Sequence, residues 1–481
     1  MKTIAEPDTI KTLTTHYIDG AFVESHGREM MDIVRPTDGK VIARVTLGDE
    51  EDTRRAIAAA KRAFVTYGQS TKEERSKILR RLHKAATARL DELTAAMVEE
   101  YGGVVQFARP IVESGINAFL ASEKALQELP LKQSWGKTTV TLEPVGVAGL
   151  ITAWNANALF ICLKLASAVA AGCTVVLKPS EMSSLQTRVM IEALHEADLP
   201  KGLLNVVTGL GTTVGAELTR NPDVNKISFT GSVAVGQKIM SDGAASMKRV
   251  TLELGGKSPT ILLEDAVLEK AIPSALIMAF LNSGQACAAG TRFLVPKSKL
   301  EAVKRAILNV MPAFAVGDPA DPKTAIGPMV SQKQYERVQS YIRKGIEEGA
   351  EVLVGGEGHP EGFQAGFYVK PTVFVNVKNN MTIAQEEIFG PVLCVIAYDS
   401  EGEAIRIAND SKYGLHAAVL GTDLVRARRV ASQIRAGRVV INNMTDDPQT
   451  PWGGFKYSGV GREYGRYGIE AFVETRAILE S

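Results

Sequence analysis

From Val147 onward the chain alternates short β-prone runs with stretches of helical periodicity, and this alternation constrains the fold more than any other feature. The β-prone runs are Val147 to Thr152, Thr174 to Lys178, Leu204 to Val207, Lys226 to Thr230 and Arg249 to Leu254. Helical patterns fill the intervals, ending at Ala171 and Glu196, then near Val214 to Thr219, then from Val233. Strand, helix and strand in repeated succession are joined by right-handed crossovers and lie parallel in one sheet. A second series spans Thr260 to Asn442, with strands near Thr291 to Val295, Val392 to Ala397, Ala417 to Leu420 and Val439 to Ile441. The expected fold is therefore α/β, with two such domains, and 481 residues suffice for two substantial cores.

Ahead of the alternation, two amphipathic helices are predicted, from about Glu50 to Phe64 and from Thr71 to about Tyr101, the second opened by a Thr71/Glu74 capping box. The most apolar stretch, residues 159 to 177, is interrupted by Lys164 and divided by Gly172 into a helix and a strand, so it reads as a buried unit rather than a membrane span. A net charge of +1 without basic clusters argues against a nucleic-acid partner. Cys162, Cys173, Cys287 and Cys394 have no C-x-x-C spacing, which disfavours a zinc site or a disulfide framework, and no metal is expected. The polar start, Met1 to Asp8, lacks the apolar core of a secretory signal, so the expected compartment is the cytoplasm. Residues 137 to 143 and 469 to 481 are β-prone with no partner close in sequence.

Cys287 lies in the run Phe280-Leu281-Asn282-Ser283-Gly284-Gln285-Ala286-Cys287, framed by residues that loosen the backbone and supply polar groups rather than packing volume. Glu253 follows a predicted strand and precedes Gly255-Gly256, which puts a carboxylate at a strand's carboxyl end, where α/β sites form. Asn155, after another strand, can either donate its amide to a developing oxyanion or cap the next helix. Gly209 to Gly215 is a G-x-G-x-x-x-G run, one residue longer than the usual dinucleotide fingerprint. Phe229-Thr230-Gly231-Ser232 ends a strand where a helix begins, a place for pyrophosphate.

The run Val250-Thr251-Leu252-Glu253-Leu254-Gly255-Gly256-Lys257 and the Cys287 segment together resemble the active-site signatures of the NAD(P)-dependent aldehyde dehydrogenases, in the hydrolytic, non-CoA-acylating branch. Glu386 to Pro391 matches that family's E-I-F-G-P element, and Pro451 to Lys456 its late P-F-G-G-x-K element. The resemblance spans Glu143 to Arg462 in family order. It implies a Rossmann-like cofactor domain over 1–124 and 144–253, a catalytic domain over 254–442 with 443–468 returning to the cofactor side, and a small bridging sheet from 125–143 and 469–481 that joins subunits into a dimer or tetramer. It implies Cys287 as nucleophile, Glu253 as base for the deacylating water and Asn155 as oxyanion donor. NAD is the expected cofactor, held by Ile151, Thr152, Trp154, Lys178, Ser180, Glu181, Gly211, Gly215, Phe229, Gly231, Ser232, Leu254, Glu387 and Phe389. Glu181, accepting from the adenosine ribose, would repel a 2′-phosphate, so NAD is expected over NADP.

The aldehyde pocket is expected at Ala156, Asn157, Phe160, Leu163, Leu281, Asp446 and Trp452. Many relatives carry aromatic side chains where this chain has Ala156 and Leu281, which predicts a wider and more polar pocket. Asn157 and Asp446 then serve as hydrogen-bonding groups, Trp452 stacks on a substrate cation beside Asp446, and an aldehyde with a hydroxyl or cationic group is favoured. Leu163 replaces an arginine common in succinic semialdehyde dehydrogenases, which disfavours a dicarboxylic semialdehyde unless Arg109 substitutes for it.

Overall fold

The computed structural model describes residues 10–443 and 446–480. The polar N-terminal start, together with Met444 and Thr445 of the expected substrate loop, lies outside them.

Five parallel strands form the centre of an eight-stranded sheet in the order Arg249–Glu253, Lys226–Thr230, Val147–Ile151, Thr174–Lys178 and Leu204–Val206. The first of these in sequence, Val147–Ile151, sits in the middle. Later strands are added on one side and then on the other, so the direction of winding reverses between Val147–Ile151 and Lys226–Thr230. Ligands bind outside the carboxyl ends of strands at such a reversal. Strands covered by helices on both faces read as unbroken apolar runs, and Val147–Ile151, Thr174–Lys178 and Lys226–Thr230 are buried along their whole length.

A seven-stranded sheet follows: Glu351–Val354, Thr372–Val375, Val392–Tyr398, Arg292–Pro296, Pro259–Leu262, His416–Leu420 and Arg438–Ile441. Its strands are parallel except the edge strand Glu351–Val354, which runs antiparallel. The chain passes from the first sheet to the second in the few residues between Glu253 and Pro259. It returns late, when Gly459–Val460 pairs antiparallel with Arg249–Glu253. A three-stranded antiparallel sheet joins Lys132–Trp135, Thr138–Pro144 and Val473–Leu479.

Three elements differ from the sequence reading. Residues 11 to 46 hold five short strands; Thr15–Ile18 and Ala21–Glu24 extend the first sheet at its Leu204–Val206 edge, and the others form a small sheet of their own. The predicted helix from Thr71 to Tyr101 carries its capping box but ends at Ala88. At Arg89 the backbone leaves helical geometry (φ −112°, ψ 15°), and the guanidinium is held by Glu92, Glu192 and Glu196. After Leu90–Ala96 a wide π-type turn, Met97–Tyr101, brings Tyr101 to 5.6 Å from the Trp154 ring. Finally, the C-terminal β-prone segment begins as a helix, Gly465–Glu470, and turns to strand only at Val473.

Gly172 shows how a helix end is fixed against its neighbour. It ends the helix Asn157–Ala171 with φ +92°, a conformation that a side chain disfavours, and a Cβ there would lie 2.5 Å from the Arg75 guanidinium. Arg75, itself buried, donates to the last carbonyls of that helix, at Ala171 (2.8 Å) and Ala170 (3.3 Å). Gly172→Ala should therefore lower the urea midpoint by an amount worth about 2 kcal/mol or more, since left-handed strain of ~1–3 kcal/mol adds to a displaced cap. An unchanged midpoint would refute this account of the helix end.

Candidate active site

The loop that carries Cys287 joins the helix Leu268–Phe280 to the strand Arg292–Pro296. It begins with three successive left-handed residues, Asn282 (φ 53°), Ser283 (φ 57°) and Gly284 (φ 74°). Two of the three carry side chains, so the geometry needs outside support. Ser283 Oγ accepts from the Gly327 N–H (2.9 Å), and the Gln285 side chain spans Pro328 and Val330, donating at 3.2 Å and accepting at 3.0 Å. The Gln285 carbonyl accepts from both Asn155 Nδ2 (3.0 Å) and Asn282 Nδ2 (3.2 Å), and Asn282 also donates to the Asn155 carbonyl (3.0 Å). Asn155 is thereby fixed beside the cysteine loop. The cap of the following helix falls to Ala156, which makes no side-chain bond.

Glu253 ends its strand 5% exposed, and neither carboxylate oxygen accepts a hydrogen bond of good geometry, although the Trp452 indole lies near enough to favour the charge slightly. Burial, reinforced by the neighbouring Glu463, pushes its pKa well above the ordinary carboxylate range. Glu387 lies against the Gly255-Gly256 turn, accepts from the Gly256 N–H at 3.0 Å, and is raised by burial to about 7. A side chain at Gly255 would collide with that carboxylate, and one at Gly256 with the Cys287 carbonyl, so only glycine allows the two sheets to approach here. Among these groups the Cys287 thiol is only partly exposed, and burial, followed by the Glu387 and Glu253 charges, pushes its pKa up to about 12.

Two cavities meet at Cys287 and share Asn155, Thr230, Glu253 and Cys287 in their walls. One, of about 250 Å³, lies outside the winding reversal of the first sheet, against Trp154, Gly231, Ser232, Leu254, Glu387 and Phe389. Phe389 meets Trp154 edge to face at 5.4 Å and adopts φ 64°. Its backbone is held by Gln334 Nε2 (2.7 Å), while Arg337 Nη2 donates to the Glu387 carbonyl (2.6 Å). Neither Gln334 nor Arg337 is marked by any local motif. Farther along the carboxyl ends, Lys178 pairs with Glu181 (2.9 Å), Ser180 caps the turn that follows, and Gly215 faces Lys178 and Ile151. Gly211 has open space where a Cβ would stand, and Thr152 Oγ1 is buried without a partner. Phe229 packs instead in the core, its ring beneath Gly231.

The other cavity, of about 210 Å³, is lined by Ala156, Phe160, Leu163, Leu281, Asp446 and Trp452, with further apolar walls from Phe107, Ile111, Leu159 and Met278. Asn157 is not among them. It is fully buried on the far side, its Nδ2 donating to Thr187 Oγ1 (3.2 Å), because a residue entering a helix two positions after Asn155 points into the neighbouring helix instead. Arg109 does not reach the cavity either, being paired with Asp91 (2.6 Å) on the surface. The arginine present is Arg438, which pairs with Asp446 and lies 4.9 Å over the Trp452 ring. The expected partners of a substrate cation are thus already engaged, and the pocket is more apolar than the sequence suggests. His416 also lines it, with a pKa lowered by burial and by Arg438 to about 4. Lys164, read only as a break in an apolar run, is wholly buried; it donates to Glu463 (2.5 Å) and Ser228 (3.0 Å), which puts an ion pair behind Glu253.

The family model of the aldehyde dehydrogenases matches residues 22–478. The chain belongs to the aldehyde dehydrogenase family. Its reaction class is accordingly the oxidation of aldehydes. A 3-succinoylsemialdehyde-pyridine dehydrogenase of a Pseudomonas species is 43% identical over 96% of this chain and 98% of its own. Aldehyde dehydrogenase C of Pseudomonas syringae, solved as a cysteine-to-alanine mutant with NAD+ and octanal, superposes with a TM-score of 0.95 at 42% identity, covering 97% of this chain and 96% of its own. A betaine aldehyde dehydrogenase of Staphylococcus aureus, solved with NAD+, gives 0.93 at 35% identity over 97% and 94%.

A thiol raised to about 12 ionises tenfold more with each pH unit well below that value, and thiolate is the reactive form. Iodoacetamide should therefore alkylate Cys287 in the ligand-free protein at a rate that climbs steadily from pH 7 to pH 10. Quantified by mass spectrometry of the Cys287 peptide, a plateau near pH 7 would contradict the assignment.

Proposed function

We propose that the chain oxidises an aldehyde to its carboxylic acid with NAD, with Cys287 as nucleophile, Glu253 as base and Asn155 as oxyanion donor. The observation that carries this reading is the meeting of the two cavities at one thiol. A substrate can approach Cys287 from the side of Phe160 and Leu163 while a nicotinamide occupies the side of Trp154 and Phe389.

The residues suit the cofactor. The Glu387 carboxylate over Gly255-Gly256 is placed to receive ribose hydroxyls, and the helix opened by Ser232, eleven residues long, begins at a strand's carboxyl end, where backbone N–H groups favour phosphate. When bound, NAD supplies the hydride acceptor. The protein's part begins with the Cys287 thiol giving its proton to solvent water and the resulting Sγ thiolate adding to the aldehyde carbon. The carbonyl electron pair moves onto oxygen, where the second N–H of Asn155 and the Cys287 backbone N–H receive it; one such donor is typically worth about 2.7–4 kcal/mol. Hydride departure from the thiohemiacetal carbon leaves a thioester on Cys287. Glu253 then takes a proton from water, which adds to the thioester and displaces the thiol. The burial that raises the Glu253 pKa makes its ionised form a stronger base. A base so placed supports hydrolysis over transfer to CoA.

Glu181 supports NAD over NADP, because its carboxylate, held at the strand end by Lys178, would face a 2′-phosphate with like charge. The small sheet supports a homo-oligomer: its Trp135 and Leu479 are 69% and 76% exposed. Among the described residues no helix is long and apolar enough to cross a membrane, and four unpaired thiols suit a reducing cytoplasm.

Rapid mixing of enzyme, NAD and octanal tests the catalytic assignment. Cys287→Ala should give no NADH. Glu253→Gln should give a burst near one equivalent per site, then turnover reduced by about 10²–10⁴-fold. Equal loss of burst and steady state would move Glu253 to thiol activation. For the cofactor, the ratio of kcat/KM for NAD over NADP should exceed one and fall about tenfold in Glu181→Ser, a change worth about 1.4 kcal/mol; a native preference for NADP would overturn the role of Glu181.

A further inference from the structure

The aldehyde-side cavity contains a cation of its own. Arg438 opens the strand Arg438–Ile441, and only 13% of its side chain is exposed. The guanidinium carbon lies 4.9 Å from the Trp452 ring centroid and 5.7 Å from that of Tyr464, and the two rings meet edge to face at 6.4 Å. Asp446 pairs with Nη1, and Nη2 donates to Thr450 Oγ1 at 3.1 Å. Arg438, Asp446, Trp452 and Tyr464 all line the cavity that ends at Cys287.

Two aromatic faces at an angle, with a carboxylate beside them, make a corner that attracts an alkylammonium group. Here the corner is taken. The other ionisable groups of the cavity lie elsewhere: Glu463 is paired with Lys164, Glu253 sits at the Cys287 end rather than in the Trp452–Tyr464 corner, and burial and Arg438 lower the His416 pKa to about 4. A cationic aldehyde entering this cavity meets Arg438 with its aromatic and acidic partners already used, and pays for desolvation without a counter-charge.

We propose that Arg438 sets the charge selectivity of the enzyme, filling the Trp452–Tyr464 corner so that cationic aldehydes are rejected and uncharged ones are accepted. The inference rests on the reading of this cavity as the aldehyde site. It separates this chain from any relative whose corner stands open, and it explains how one fold can present the same aromatic residues and take a different substrate class. Charge, not bulk, is the operative property, because Arg438 lies to the side of a cavity that still runs past Leu163 and Leu281 to Cys287.

Betaine aldehyde and 3,3-dimethylbutanal have the same shape and differ by one positive charge. The wild type should oxidise the uncharged member at least about tenfold more efficiently, and Arg438→Ala should shift the kcat/KM ratio toward the cation by about tenfold or more, as a vacated aromatic corner attracts the ammonium group. Arg438→Lys, which keeps the charge, should stay close to the wild-type ratio, and Arg438→Met gives a second uncharged variant should the alanine protein fold poorly. Choline and 3,3-dimethylbutan-1-ol provide a readout that needs no turnover, through their protection of Cys287 from iodoacetamide. If no aldehyde is oxidised, the catalytic reading fails, while the protection ratio still tests Arg438. A ratio unmoved by both uncharged variants, or moved as far by Arg438→Lys, overturns the proposal.

Discussion

The close approach of backbone at Gly255-Gly256 is the constraint on which the rest of the site depends. Here the chain leaves one parallel sheet and enters the other, and no side chain fits between the Glu387 carboxylate and the Cys287 carbonyl. Because the turn is this tight, Glu253 ends its strand within electrostatic reach of the thiol although they lie far apart in sequence. Arg292 holds the far side. Fully buried, it donates to the Lys257, Ile407 and Ala408 carbonyls and ties the start of the second sheet to the helix Glu401–Asn409.

The resting site is electrostatically quiet by design of its burial. Glu253 and Glu387 are both raised, the thiol is raised with them, and the charged pair Lys164–Glu463 is internally balanced. A low-dielectric pocket of this kind magnifies whatever charge a ligand brings. A thiol raised in this way carries little thiolate at neutral pH, and thiolate is the form that reacts.

Much of the fold was legible because the central strands stand out as short β-prone runs separated by helical periodicity; Val147–Ile151, Thr174–Lys178 and Lys226–Thr230 fall where the pattern puts them. The strands between residues 11 and 46 were missed because they are short and mostly half-exposed. The break at Arg89 was missed because two of the three glutamates that hold its guanidinium, Glu192 and Glu196, lie about a hundred residues away in sequence. In the site, Cys287, Glu253 and Asn155 stand in recognisable runs. Arg438, Glu463, Gln334 and Arg337 do not: each acquires meaning only from partners distant in sequence. Asn157 failed for a local reason, since proximity to Asn155 along the chain says nothing about direction once a helix has begun.

Two cavities opening on one thiol from different sides make the site a corridor rather than a cul-de-sac. Ligands in a blind pocket must leave in the reverse of the order in which they entered. In a corridor each of two ligands has a door of its own, so one can leave while the other stays. Exchange then requires no parting of the two sheets, and the tight turn between Glu253 and Lys257 can stay closed while ligands come and go.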